Sequence, residues 1–144
     1  MISDSESSTV ALQRYSAFIE EVLRPQLKET LATRDTLAQE VHEYEELREI
    51  LQELQSSKLQ PLHTLLDVGE RFYVRTKVDD TSFVIIDIGL NFHVEMTISE
   101  AQGFVQNHLF SLIEKRNKWQ AKARDISKHV NLVLASIQQL AALQ

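Results

Sequence analysis

A heptad repeat in the last third of the chain restricts the possible folds more than any other feature. Apolar side chains follow one another at alternating spacings of four and three from Val105 to Leu140, with one polar interruption. A repeat sustained over about five heptads is typical of a coiled coil. Ser99 precedes the repeat and Gln102 follows three residues later, which is the pattern of a capping box at a helix start. The sequence therefore predicts one long helix over residues 99–143.

A second helical pattern occupies the first part of the chain. Apolar residues recur at spacings of three and four from about Thr9 onward, and the pattern predicts a helix over residues 9–60. Residues 1–8 are acidic and rich in serine, so we expect a disordered tail there. Pro25 interrupts the pattern. Because a proline removes one helical hydrogen bond and clashes with the preceding turn, it predicts a kink or a break near residues 22–24.

The segment between these helices, residues 62–98, has a period of two instead. The stretches "FYVRTKV" and "FHVEMTI" alternate apolar and polar side chains, as half-buried strands do. Before and between them, "LHTLLDV" is a weaker strand candidate and "FVIIDI" is apolar on both faces. Gly69 and Gly89 supply turn residues that tolerate positive φ. The sequence predicts four strands in two β-hairpins, forming one small sheet.

These elements define the expected fold class, α+β and mostly α. Two helices of nearly equal length, each about 70 Å long at 1.5 Å per residue, carry apolar stripes that neither can leave exposed to water. The hairpin segment brings the second helix back onto the first. We therefore expect a long antiparallel two-helix coiled coil with two β-hairpins at one end and both chain ends at the other. Residues 9–144 would form a single domain.

Charge and composition exclude several classes of function. The net charge of −6 comes from 15 basic and 21 acidic side chains, which look mixed along the chain, so direct binding to nucleic acid is disfavoured. No apolar stretch reaches the roughly 18 residues of a membrane span, and the start of the chain lacks the pattern of a secretory signal. The absence of cysteine fits a reducing compartment. We expect a cytoplasmic and/or nuclear protein with no membrane partner.

The sequence shows no constellation of catalytic or metal-binding residues. Its five histidines lack the spacing of metal ligands, and paired acidic residues are explained by turns and helix surfaces. No nucleophile elbow, phosphate-binding loop or dinucleotide fingerprint is present. We therefore predict no enzymatic activity, no catalytic residue, no metal site and no cofactor.

The strands are best explained as an assembly element. A small sheet has unpaired edges, and apolar residues on both of its faces make it unstable in water unless something covers it. If the two helices cover each other, strands of other subunits must complete the sheet, closing it into a barrel. The residues predicted to lie at this subunit interface are Phe72, Val74, Val84, Ile86, Ile88, Phe92 and Val94.

The central stretch "VGERFYVRTKVDDTSFVIIDIGLNFHVEMTISEAQGFV" resembles the α-type subunits of the prefoldin family, and the likeness extends over residues 10–143. In that family a glycine precedes an aromatic and valine-containing strand in each hairpin. The matching residues are Gly69, Phe72, Tyr73 and Val74, and then Gly89, Phe92, Val94 and Glu95. Asn91 stands where a second glycine is usual, and Pro25 departs from the family pattern. Among its members the chain is most similar to the prefoldin-like subunits.

The resemblance implies a six-membered complex of two α-type and four β-type subunits, in which the hairpins build the body and the coiled coils hold unfolded or partner proteins at their tips. An alternative is a nuclear scaffold or transcription cofactor that uses the same fold to bind one defined protein. The predicted client-binding residues at the tip are Leu12, Tyr15, Phe18, Ile19, Ile137, Leu140 and Leu143. For those on the heptad, ordinary packing in the seam is the favoured explanation, whereas Phe18 and Leu143 lie off the heptad and are the better candidates.

Overall fold

The computed structural model describes residues 2–57 and 61–143 and contains two long helical stretches separated by two β-hairpins. This arrangement confirms the predicted fold class. In chain order the elements are helix α1 (Ile2–Phe18), a π-helical segment (Ile19–Leu23), helix α2 (Arg24–Ser56), strands β1 (Leu62–Gly69), β2 (Phe72–Val78), β3 (Phe83–Gly89) and β4 (Phe92–Thr97), and helix α3 (Ile98–Ala142).

The first helix begins at Ile2, so residues 2–8 differ from the disordered tail that the sequence predicted. The hydroxyl of Ser8 donates to the carbonyl of Asp4 at 3.0 Å, and that of Thr9 donates to the carbonyl of Ser5 at 2.9 Å. Such bonds to the carbonyl four residues earlier are those of serine and threonine inside a helix, where these side chains need not act as caps. At the other end, helix α2 stops at Ser56, and the predicted helical residues 58–60 lie outside the described part of the chain.

Pro25 does not break the helix. The five residues before Arg24 form a π-helical turn, in which the backbone N–H of Arg24 donates to the carbonyl of Ile19, five residues earlier. Proline has no N–H of its own and crowds the carbonyl four residues before it, so a wider turn at this point relieves the clash while the chain stays helical. Ile19 and Leu23 are both buried. The deformation thus keeps two apolar side chains on the inner side of the helix.

By its internal contacts the chain divides into two compact units, Met1–Glu40 with Leu112–Gln144, and Val41–Ser111. The prediction of a single domain over residues 9–144 stays a prediction. We call the first the terminal unit, because it contains both chain ends, and the second the hairpin unit.

In the terminal unit the two helical stretches run antiparallel. The ring of Phe18 meets that of His129 edge-on with centroids 5.8 Å apart. Sixteen residues later along the first stretch, the guanidinium of Arg34 donates to the side-chain carbonyl of Gln120 at 2.9 Å. Because the contact moves forward on one helix and backward on the other, the chains run in opposite directions. The buried apolar side chains of this unit are Ile19, Leu23, Leu112, Ala123 and Ile126.

In the hairpin unit the four strands form two separate two-stranded antiparallel sheets, so the prediction of one small sheet was wrong. Strands β1 and β2 form hairpin 1, with Leu66 opposite Val74, and strands β3 and β4 form hairpin 2, with Ile86 opposite Val94. A polar loop of residues 79–82 separates them. Hairpin pairing is local, whereas nothing in the alternation of side chains specifies that one hairpin should pair with the other.

The two hairpins repeat the same ten-residue design, "LLDVGERFYV" in hairpin 1 and "IIDIGLNFHV" in hairpin 2. In both, the register shifts between the aspartate and the glycine of the turn. The carboxylate oxygens of Asp67 and Asp87 accept the N–H of Gly69 and Gly89, each at 2.9 Å. The glycines have φ of +93° and +99°, and the two residues after each also have positive φ. Each turn requires glycine at its first position because other residues rarely adopt a φ as strongly positive as that of Gly69 and Gly89.

Hairpin 2 shares a core with its own helices. Ile86 of β3 clusters with Leu51 of α2 and with Ala101 and Val105 of α3, and all four are buried. Around this cluster pack the partly buried side chains of Tyr44, Leu47, Val84, Met96 and Phe104. The expectation that the helices would leave both hairpins uncovered was therefore wrong for hairpin 2.

Candidate subunit interface

Hairpin 1 is exposed along nearly its whole length. Every residue of β1 is exposed, and in β2 only Thr76 is partly covered. The large apolar side chains that it presents to solvent are Leu62, Leu65, Leu66, Val68, Phe72, Tyr73, Val74 and Val78. A soluble monomer rarely exposes so many contiguous apolar groups, so this surface has the character of an interface.

The two faces of hairpin 1 differ in chemistry. Residues directly opposite one another point to the same face. Pairing of Leu62 with Val78 and of Leu66 with Val74 therefore gives one mainly apolar face, interrupted only by the threonine pair between them. Phe72 lies two residues before Val74 and extends this face toward the turn. We call these five residues the apolar face of hairpin 1. The opposite face pairs His63 with Lys77, Leu65 with Arg75 and Asp67 with Tyr73, and is mixed.

Hairpin 2 is covered near its base and exposed near its turn. Val84, Ile86 and Met96 pack in or against the core of the hairpin unit. On the same face Ile88 and Phe92, closer to the turn, are exposed, as is Val94. The outward face carries exposed Phe83 and Ile85. Hairpin 2 therefore offers an apolar surface to a partner only around its turn and on its outer side.

Most of the predicted interface residues lie on these exposed surfaces, with two exceptions. Phe72, Val74, Ile88, Phe92 and Val94 are exposed, and Val84 is half-buried. Ile86 is only 8% exposed and belongs to the core of its own chain, so its place in the interface was a wrong prediction. Alternation shows which residues share a face, but it does not show whether a helix of the same chain covers that face.

Several exposed apolar residues were missed by sequence reasoning. Leu65 and Leu66 are adjacent and break the simple alternation, which made β1 the weakest strand candidate. Leu90 was considered only as part of a turn. Its side chain is 92% exposed, and its φ of +53° is a conformation that leucine adopts at a cost. A large apolar residue held in this way at the tip of hairpin 2 is a candidate contact for a second protein.

The residues predicted to bind clients are all in the terminal unit but differ in exposure. Leu12, Ile137 and Leu140 are half-buried and Ile19 is buried, in agreement with the alternative of ordinary seam residues. Tyr15 and Phe18 are exposed, and Leu143 is 83% exposed. Phe18 also contacts His129. The exposed candidates are thus Phe18 and Leu143, which lie off the heptad, and Tyr15, which lies on it.

The loop between the hairpins carries a carboxyl group whose titration is perturbed. Hydrogen bonds from the side chain and the backbone N–H of Ser82 stabilise the carboxylate of Asp80 and hold its pKa below the ordinary value of 3.8. The backbone bond measures 2.9 Å. Between them Thr81 is buried. These contacts fix the loop, and they do not form a catalytic cleft.

Two other kinds of site are absent from the described part of the chain. Over residues 2–57 and 61–143, no three His, Asp or Glu side chains lie close enough together to hold a metal ion. Over the same ranges no helix combines the length and the apolar character needed to cross a membrane.

Comparison with known proteins assigns the class that this fold and this exposed surface suggest. The family model of the prefoldin subunit matches residues 23–143, and the chain belongs to the prefoldin family, whose members are chaperone-type subunits. This confirms the resemblance found in the sequence.

Within the family the chain is similar to UXT proteins. It is 31% identical to Protein UXT of Homo sapiens over 139 residues, which cover 96% of this chain and 88% of the relative. It is 28% identical to the Protein UXT homolog of Dictyostelium discoideum, covering 93% of this chain and 83% of that one. A chain in a solved cryo-EM structure, of filamentous PFD from Methanocaldococcus jannaschii, is 25% identical to this chain. The match covers 94% of this chain and 99% of that chain, with a TM-score of 0.40.

Proposed function

We propose that this chain is a non-enzymatic subunit of a hexameric prefoldin or prefoldin-like co-chaperone complex, in which it assembles with other α- and β-type subunits through its hairpins. The observation that supports the proposal most directly is the apolar face of hairpin 1. Two leucines, two valines and a phenylalanine lie there in register, all exposed, on a hairpin that its own chain leaves uncovered.

Covering this face would contribute favourable free energy to assembly. Fully burying one Leu, Val or Phe side chain contributes about 1.5–3 kcal/mol. Five side chains that are between 38% and 67% exposed therefore offer several kcal/mol, before the outer surface of hairpin 2 is added. Each strand also has an unpaired edge whose N–H and C=O groups can pair with a strand of another subunit. A partner that adds strands satisfies both requirements at once.

In the proposed complex the terminal unit binds unfolded or partner proteins. Tyr15, Phe18 and Leu143 are its exposed predicted contacts, and apolar side chains near a helix end are suited to weak binding of many apolar segments. We further propose that the protein works in the cytoplasm and/or the nucleus. Imaging of a fluorescently tagged chain tests this, and accumulation in any other compartment would contradict it.

The assembly proposal is tested by placing a charge on the apolar face of hairpin 1. Leu66→Lys puts an ammonium group where a partner would have to bury it, which costs several kcal/mol. We expect at least a tenfold loss of co-purified β-type prefoldin subunits, with the helical circular dichroism signal unchanged. The matched control is Leu132→Lys, the same substitution at an exposed position of α3, which should leave co-purification intact. Equal recovery of partners with both variants would rule out hairpin 1 as the interface.

A further inference from the structure

A short part of α3 has a charge opposite to that of the rest of the chain. Residues 115–128 contain six of the 15 Lys and Arg residues and only one, Asp125, of the 21 acidic residues. The segment therefore carries a formal charge of +5 within a chain whose net charge is −6. The remainder of the chain is correspondingly at −11. The average over the whole sequence, on which the expectation of mixed charges depended, concealed this concentration.

The basic side chains of this segment are arranged along one side of the helix. Lys115, Lys118 and Lys122 are separated by three and four residues, so they lie on the same face over about 10 Å of helix length. We call these three residues the lysine stripe. All three are exposed. The Nζ atom of Lys122 lies 4.6 Å from the centre of the Trp119 ring, a cation–π contact that holds this lysine against the helix surface.

No side chain in residues 2–57 and 61–143 forms an ion pair with the lysine stripe. The ion pairs of the described residues join Arg24 with Glu20, Arg34 with Asp35, His42 with Glu46, Lys77 with Asp79 and His93 with Asp87. None of these involves the stripe. Glu114 and Asp125 are close in sequence, yet within residues 2–57 and 61–143 neither forms an ion pair with it. Three like charges on one face repel one another, so an anionic partner would relieve this repulsion.

The charge of the rest of the molecule indicates what kind of anion can bind there. An extended polyanion such as duplex nucleic acid, or a flat anionic membrane, would extend well beyond 10 Å and meet the rest of the terminal unit, which outside residues 115–128 carries eight acidic and only four basic side chains. A short acidic stretch of polypeptide can contact three lysines without reaching those repulsive charges. Carboxylate groups spaced along a peptide or a helix also match the spacing of the stripe.

We propose that the lysine stripe docks a short acidic segment of a partner protein, with carboxylates of Asp or Glu paired to Lys115, Lys118 and Lys122. The stripe shares no residue with the hairpins or with the predicted client-binding residues. Its partner therefore binds in addition to any subunit or client.

Fluorescence anisotropy of a labelled peptide of eight glutamates tests the proposal with the full chain. We expect saturable binding in 50 mM salt, weakened at least about tenfold in 300 mM salt because the contacts are ionic. The variant K115E/K118E/K122E should lose at least about tenfold in affinity. The matched control R14E/R48E/R75E makes the same change in net charge at three other exposed residues and should stay within about threefold of the parent chain. Circular dichroism checks that both variants keep their helices.

Four outcomes would overturn the proposal. Absence of saturable peptide binding, or equal losses in the stripe variant and the control, would show that the stripe is only a solvated face. Tighter binding of a 20-base-pair duplex than of the peptide would make nucleic acid the occupant. Salt-sensitive self-association of the parent chain that disappears in the stripe variant, measured by sedimentation, would make a second copy the occupant.

Discussion

The two hairpins of this protein share a design but differ in what covers them. Their turns have the same aspartate, the same glycine and the same three positive φ values, within 10° of each other. Yet Ile86 of hairpin 2 is 8% exposed, whereas Leu66, at the equivalent position of hairpin 1, is 55% exposed. Local sequence determines how each strand pair forms. Contact with the core of the same chain determines whether a hairpin is covered, as hairpin 2 is, or exposed, as hairpin 1 is.

The largest expected effect is a difference in stability between substitutions at the two equivalent positions, Ile86 and Leu66, in the isolated chain. Ile86→Ala removes buried methyl groups from the core of the hairpin unit and should lower the free energy of unfolding by about 2–4 kcal/mol. Leu66→Ala shortens a mostly exposed side chain and should lower it by less than about 1 kcal/mol. Urea denaturation of both variants measures the difference. Similar losses would mean that hairpin 1 is covered in the monomer as well.

The turns offer an intermediate test, in which the two hairpins should behave alike. Gly69→Ala and Gly89→Ala each place a Cβ on a residue with strongly positive φ, although nothing lies within 4 Å of that Cβ. The cost is therefore one of backbone conformation alone, about 1–2 kcal/mol. Thermal unfolding of the pair checks this. A much larger effect at one glycine would show that its turn has a packing role in addition to its conformational one.

The smallest expected effect concerns the loop that separates the hairpins. The pKa of Asp80 is lower in the folded chain than its ordinary value of 3.8. The bonds from Ser82 therefore stabilise the folded chain at pH values above 3.8. This contribution is lost as the pH falls through the pKa of the folded chain. NMR titration of the Asp80 carboxyl carbon should give a midpoint below 3.8. Ser82→Ala should move the midpoint upward. An unchanged midpoint would contradict the role of the Ser82 hydroxyl.

Patterns within a few residues were sufficient to predict the helices, the hairpins and the turns at Gly69 and Gly89. Capping, heptads and alternation are local signals, and each element follows from its own residues. The start of the first helix at Ile2 was missed because serine and aspartate favour tails and caps as readily as helical turns. The π-helical segment was also missed, since a proline signals strain without specifying how the chain relieves it.

The candidate interface was predictable only in part, because exposure depends on contacts between distant segments. Phe72, Val74 and Phe92 were placed correctly on exposed surfaces from their strand pattern. Ile86 follows the same pattern, but residues 35 positions before it and 15 after it cover it. The lysine stripe was missed for a different reason, since a whole-chain charge says nothing about how charges are distributed along one helix.

The π-helical segment at Ile19–Leu23 has a consequence for the way the N-terminal residues are oriented. A π turn holds about one residue more than an α turn, and one residue corresponds to a rotation of about 100° around the helix axis. Everything before Ile19 is therefore turned relative to an uninterrupted helix. A deletion of one residue within this stretch would rotate residues 2–18 as a block. The amino acids of that block would be unchanged, but Tyr15 and Phe18 would point in a new direction.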